Sequence, residues 1–203
     1  LGGKKYYFIS LLILLETMAE ESRRATAPDV LEPLLVRMQA GEQEALAELY
    51  HHARTAVYGL ALSYLKNSHD AEDVAQDTFV RVWENVHQYQ PRGTPLAWVL
   101  TVARNLALMK LRERGKTEEL EPESWEQMAA GSPLVTVEDR QVLRAALEGL
   151  TDEERQVVTL HAVTGWKHKE IAHLLNLPLS TVLSKYRRAL QKLRTMLEGG
   201  EKP

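Results

Sequence analysis

The chain has 203 residues, 44 % of them apolar and 26 % charged, which fits a globular protein of one or two domains and excludes wholesale disorder. It holds no cysteine, so disulfide frameworks, thiol nucleophiles, iron–sulfur clusters and thiolate zinc sites are excluded. Twenty-five Lys and Arg against 28 Asp and Glu leave a net charge of −3, an average that argues against a nucleic-acid partner unless the charges are segregated along the chain.

Residues 1–28 differ from the rest. Lys4 and Lys5 precede an apolar run from Tyr6 to Leu15, broken only by Ser10. A bilayer span needs about 20 apolar residues, and no small-x-small cleavage site follows, so neither a membrane helix nor a signal peptide fits well. Leu1 is not a usual initiator and Met18 opens an acidic sequence. Residues 1–17 are therefore expected to be a start-site artefact, and 1–28 a disordered extension.

From Asp29 the pattern is helical. Leu31, Leu34, Leu35 and Met38 recur at spacings of three and four, Gly41 breaks the run, and Ala45, Leu46, Leu49, Ala53, Val57, Leu60 and Leu65 form a second stripe. Asn67-Ser68 is a turn with capping potential, and Asp70 opens a third helix to about Val86. The loop Gln90-Pro91-Arg92-Gly93-Thr94-Pro95 precedes a fourth helix, Leu96 to about Arg114. Residues 117–139 carry seven acids and no Lys or Arg, interrupted by Pro122, Gly131 and Pro133. They predict a flexible acidic linker over 116–139 between a domain at 29–115 and a second at 140–198, with 199–203 a tail. In the second domain Thr151-x-x-Glu154 predicts a capping box. No segment alternates as a strand does, so the predicted fold is all-α: two small helical domains joined by the linker.

The sharpest motif lies at 168–187. Ala172 is small where two helices should touch, and Asn176, which tolerates positive φ, sits between Leu175 and Leu177 at a turn. Pro178-Leu179-Ser180-Thr181 starts a second helix whose buried stripe is read as Val182, Tyr186, Leu190 and Leu193. Its exposed side is read as Ser180, Thr181, Ser184, Lys185, Arg187 and Arg188, residue types that hydrogen-bond bases and pair with phosphates. Between Lys167 and Arg194 seven Lys and Arg face one acid, Glu170. The pattern predicts a DNA-binding helix-turn-helix rather than an αα-hairpin with a solvated basic face.

Two further segments carry segregated charge. From Asp70 to Glu84 there are five acids and one base around an apolar stripe of Val74, Phe79, Val82, Trp83 and Val86. From Thr101 to Lys116 there are five bases and one acid, and this helix follows a loop with Tyr89, a combination suited to single-stranded nucleic acid. Trp98 reads as core rather than a stacking platform. No Gly-rich phosphate loop, Gly-x-Ser-x-Gly or His-Glu-x-x-His occurs. No catalytic residue, metal, cofactor or small-molecule substrate is therefore expected.

Together, Asp70-Ala-Glu-Asp-Val-Ala-Gln-Asp-Thr-Phe, the stretch Trp98 to Arg112, and Leu150-Thr-Asp-Glu-Glu-Arg-Gln-Val-Val with Glu170-Ile171-Ala172 and Ser180-Thr181-Val182 resemble a bacterial RNA polymerase sigma factor of the extracytoplasmic-function type. The resemblance covers residues 30–115 as region 2 and 140–197 as region 4. It implies a non-enzymatic, cytoplasmic subunit that binds core RNA polymerase and directs initiation at promoter DNA. The acidic helix would dock on the β′ clamp helices through Asp70, Asp73, Gln76, Asp77, Phe79 and Trp83. Tyr89, Arg92, Arg104, Asn105, Arg112 and Arg114 would hold the −10 strand, and Ser180, Thr181, Ser184, Lys185, Arg187 and Arg188 the −35 element. Region 4 would also touch the β flap, and an anti-sigma factor, in some cases at the membrane, would restrain the protein. Met109, Pro95-Leu96, Leu183 and Asn176 depart from the family's common residues. The rival reading is a conventional helix-turn-helix regulator that binds DNA without the polymerase.

Overall fold

The computed structural model describes residues 4–114, 147 and 149–198. Among these it contains eight α-helices, one short 3-10 helix and no strand. The expected acidic linker at 116–139, residues 140–146 and the tail at 199–203 lie outside the described residues. Two compact units divide the chain: residues 21–123, and residues 1–20 together with 124–203.

In the first unit, α2 (Pro28–Gln39), α3 (Glu44–Leu65), α4 (Ser68–Asn85) and α5 (Pro95–Arg114) pack around α3. Helix α3 is central because its apolar residues cover more than one side: Ala53, Ala56, Val57, Leu60, Ala61 and Leu62 are all buried. The small residues among them let α4 and α5 approach closely. Leu31 and Leu35 from α2 and Leu100 and Ala103 from α5 complete the core. Burying each large aliphatic side chain stabilises the fold by about 1.5–3 kcal/mol. Local signals place the boundaries: Gly41 turns the chain at φ 88°, and the Asn67 side chain accepts the Asp70 N–H at 2.9 Å to start α4. A 3-10 turn, Val86–Gln88, follows α4.

The second unit holds α6 (Asp152–Thr164), α7 (His168–Leu175) and α8 (Leu179–Glu198). Thr151 and Glu154 form the predicted capping box at the start of α6. Gly165 ends α6 in the left-handed region, at φ 66°. Buried Val157, Val158, Leu160, Ile171, Val182, Ala189 and Leu193 lock the three helices together.

One expectation is overturned here. Residues 4–25 do not form a disordered extension but a helix, α1 (Lys4–Ala25). Its Leu11 and Leu15 are buried in one cluster with Val158, Ala162, Ala189, Leu193 and Leu197 of the second unit. The physical reason is periodicity: Phe8, Leu11 and Leu15 lie on one helical face, which meets an apolar face of α6 and α8. Among the described residues no helix is long and apolar enough to cross a membrane.

Leu193 is fully buried where α8 meets this cluster, so Leu193→Ala is expected to cost the second unit about 2–5 kcal/mol. Urea denaturation followed by circular dichroism measures it; a loss under 1 kcal/mol would contradict the packing.

Candidate nucleic-acid interface

The helix-turn-helix is built by one backbone conformation and a few small contacts. Asn176 closes α7 in the left-handed region at φ 55° and ψ 46°, a conformation that costs Asn less than most residues. The Leu177 N–H then returns to the Ala172 carbonyl at 2.9 Å, sealing the end of α7. After the turn, the Pro178 carbonyl accepts the N–H groups of Thr181 and Val182 at 3.0 and 3.2 Å and starts α8. Ala172 and Val182 are buried, as the motif requires.

This register decides which side chains of α8 face outward. Ser180, Leu183, Ser184, Arg187 and Arg188 are exposed, and Thr181 is half-buried. Lys185 is not on that face. It is only 9 % exposed, its aliphatic stem lies in the buried stripe, and its ammonium pairs with Glu153 of α6. The buried stripe is therefore Val182, Lys185, Ala189, Leu193 and Leu197, with Tyr186 and Leu190 half-buried beside it. Lys192 of the same helix pairs with the buried Glu154 at 2.7 Å. Burial works to raise the Glu154 carboxyl, but the Lys192 ammonium and the Thr151 cap outweigh it and hold the group below its ordinary value. Leu183, noted in the sequence only as a departure from the family's common residues, is 47 % exposed in the centre of the outward face.

In the first unit the basic helix is α5. Thr101, Asn105 and Arg112 are exposed and lie on one face, with Asn105 and Arg112 about 10 Å apart along the axis. Arg104 is half-buried and donates to the Tyr64 hydroxyl at 3.2 Å. Arg114 ends α5, and its side chain lies outside the described residues. Arg92 is exposed in the loop and donates to Gln90 at 2.6 Å.

Tyr89 requires a correction. It is 5 % exposed, its ring lies 5.2 Å from that of Trp98, and it offers no open stacking surface. Burial, with the neighbouring Glu32 carboxylate, pushes its hydroxyl well above the usual tyrosine range. Its carbonyl and that of Val86 both accept from the Gln39 side-chain amide at 2.9 Å, so Tyr89 anchors the loop to α2. The contact spans 50 residues in sequence, which is why local pattern does not reveal it.

The acidic helix α4 presents Asp73, Gln76, Asp77 and Glu84 to solvent, with exposed Val80 among them. Two of the expected docking residues are less available than their types suggest. Phe79 is 4 % exposed and packs edge-on against Tyr50, ring centres 4.9 Å apart. Asp70, largely covered, pairs with Lys110 of α5 at 2.9 Å; Asp73 shares that ammonium at 2.7 Å but remains open to solvent. Trp83 is half-buried.

A bundle of four helices with an acidic helix exposed on it, together with a helix-turn-helix unit, defines the class: a two-domain transcription protein. Family models agree. Residues 49–117 match Sigma-70 region 2, and residues 140–193 match Sigma-70 region 4. Over 178 residues the chain is 33 % identical to the ECF RNA polymerase sigma factor SigK of Mycobacterium ulcerans, covering 84 % of this chain and 95 % of that one. It is 37 % identical over 166 residues to the ECF sigma factor SigE of Mycolicibacterium smegmatis, covering 77 % and 64 %. Among solved structures, CnrH in complex with the cytosolic domain of CnrY is similar at a TM-score of 0.56 and 25 % identity, over 83 % of this chain and 97 % of that one. RpoE in complex with the anti-sigma factor NepR from Bartonella quintana shares the fold, with a TM-score of 0.61 at 20 % identity over 75 % and 96 %. The chain belongs to the ECF RNA polymerase sigma factors of the sigma-70 family.

Two predictions follow from this geometry. Because Lys185 faces Glu153 and Arg187 faces solvent, Arg187→Ala is expected to weaken promoter-DNA binding by the polymerase complex by ~1–3 kcal/mol, and Lys185→Met by less than twofold. Fluorescence titration of labelled promoter duplex measures both, and the opposite ranking would reverse the assignment of faces.

The second concerns pH. Burial, then the neighbouring His161, hold His168 below its ordinary 6.5, with Glu16 opposing. The folded unit keeps this ring neutral while the unfolded chain protonates it, so the stabilisation present above pH ~6.5 is lost as pH falls through the folded value. Urea midpoints at pH 7.5 and 5.5 are expected to drop more in wild type than in His168→Asn; equal drops would contradict the assignment.

Proposed function

We propose that the protein binds core RNA polymerase and confers promoter specificity through its two units, leaving polymerisation to the polymerase and working in the cytoplasm. The exposed carboxylates of α4, above all Asp77 with Asp73 and Gln76, dock on the polymerase clamp helices. Asp70, Phe79 and Trp83 support that face from beneath. The loop after Tyr89, with Arg92, and the α5 face of Asn105 and Arg112, flanked by Arg104 and continued to Arg114, take the −10 strand. Helix α8 enters the −35 major groove with Ser180, Ser184, Arg187 and Arg188, Thr181 lying at its edge. Region 4 also meets the β flap.

The observation that carries this reading is the placement of charge: acids stand outward on α4, Arg187 and Arg188 stand outward on the helix-turn-helix α8, and Arg112 is exposed on α5. Phosphate neutralisation by Lys and Arg dominates affinity for DNA, so the net charge of the chain matters less than where its cations sit. An anti-sigma factor is the regulatory partner this reading includes; RpoE, which shares the fold, was solved in complex with the anti-sigma factor NepR.

The test is reconstitution. Purified protein added to core polymerase is expected to co-purify with it and to stimulate run-off transcription from a subset of genomic fragments. Asp77→Ala is expected to weaken core binding about five- to tenfold while leaving the far-ultraviolet spectrum unchanged. Promoter-specific gel shift by the protein alone, with no core binding, would instead establish a conventional regulator.

A further inference from the structure

We infer that Leu183 reads the C5-methyl group of a thymine in the upstream promoter element, and so sets part of the promoter specificity. This rests on the reading that α8 enters the −35 major groove. Leu183 stands at the centre of the outward face, with Ser180 one turn before it, Ser184 beside it and Arg187 one turn after. It is 47 % exposed, and Leu179, also one turn before it, is 42 % exposed. A single exposed leucine on a protein surface needs no explanation. Here the surroundings select the partner: apart from Leu179 at the start of α8, the neighbours are hydroxyls and guanidinium groups, and Lys185, the cation that the sequence offers for this face, is withdrawn into the pair with Glu153.

A major groove offers an aliphatic side chain one favourable base-edge contact, the thymine methyl group. Against guanine or cytosine the same side chain would cover donors and acceptors without satisfying them, which costs affinity. Leu183 therefore prefers an A·T pair beneath it, with the thymine methyl turned toward α8. Ser180 and Ser184, short and able both to donate and to accept, read the adjoining edges with less discrimination. Arg187 fixes the helix on a phosphate or a guanine one turn further along.

The experiment uses the full-length protein with core polymerase and a promoter duplex found by the reconstitution above. Each thymine of the upstream element, on either strand, is replaced singly by uracil, which lacks only the methyl group. One replacement is expected to weaken the wild-type complex about fourfold, the value for burying one methyl-sized group. Leu183→Ala, an exposed substitution, is expected to bind the thymine duplex about fourfold more weakly than wild type and to be indifferent to that replacement. No sensitivity of the wild type to uracil at any position, or equal sensitivity in Leu183→Ala, would overturn the inference. Full base-pair substitutions in the same element separate the two levels. If they weaken the wild type while uracil does not, the role of Leu183 alone falls. If they too are without effect, helix α8 does not read the element.

Discussion

The left-handed turn at Asn176 is the constraint on which the C-terminal unit depends. One residue at φ 55° ends α7 and redirects the chain so that Ala172 and Val182 are both buried and α8 can begin at Leu179. Once that register is set, helical periodicity leaves no freedom: Val182, Lys185, Ala189 and Leu193 face inward, and Ser180, Leu183, Ser184 and Arg187 face outward. Function follows from register. A β-branched or bulky residue at position 176 would meet the steric cost of positive φ and loosen the angle on which all of these assignments rest.

The N-terminal unit solves a different problem with similar means. Helix α3 gives much of its surface to the core, and this frees the outer faces of α4, lined with carboxylates, and of α5, with Asn105 and Arg112. The two helices are tied by Lys110, which reaches Asp70 and Asp73 from the basic helix. That bridge neutralises charge where the two surfaces meet, and it leaves Asp77 and Arg112 as exposed charges on the acidic and basic helices. Gln39 performs the corresponding task for the loop, holding two carbonyls at its base while Arg92 stays exposed.

Much of this was legible from sequence because the signals are local. Asn67 and Thr151 caps, the break at Gly41, and Asn176 as the turn residue all act within a few residues of themselves. The features that were not legible depend on partners distant in the chain. Lys185 reads as a surface cation until Glu153, 32 residues earlier, is placed beside its ammonium. Tyr89 reads as an open ring until Trp98 is placed beside it and Gln39, 50 residues earlier, takes its carbonyl. The apolar run at Leu11 and Leu15 reads as unsupported until α6 and α8 supply its other half. Composition assigned each of these by residue type, whereas burial is decided by what the fold brings opposite.

In the proposed function one chain places two separate surfaces on two separate promoter elements, and the absence of cysteine makes that placement directly measurable. Ser184→Cys and Asn105→Cys each give a single thiol on an outward face, to which an iron chelate that cleaves nearby DNA can be tethered. In the complex with core polymerase, the probe at position 184 is predicted to cut only around the −35 element and the probe at position 105 only around the −10 element. Cutting by both at the same element, or by neither, would contradict the account.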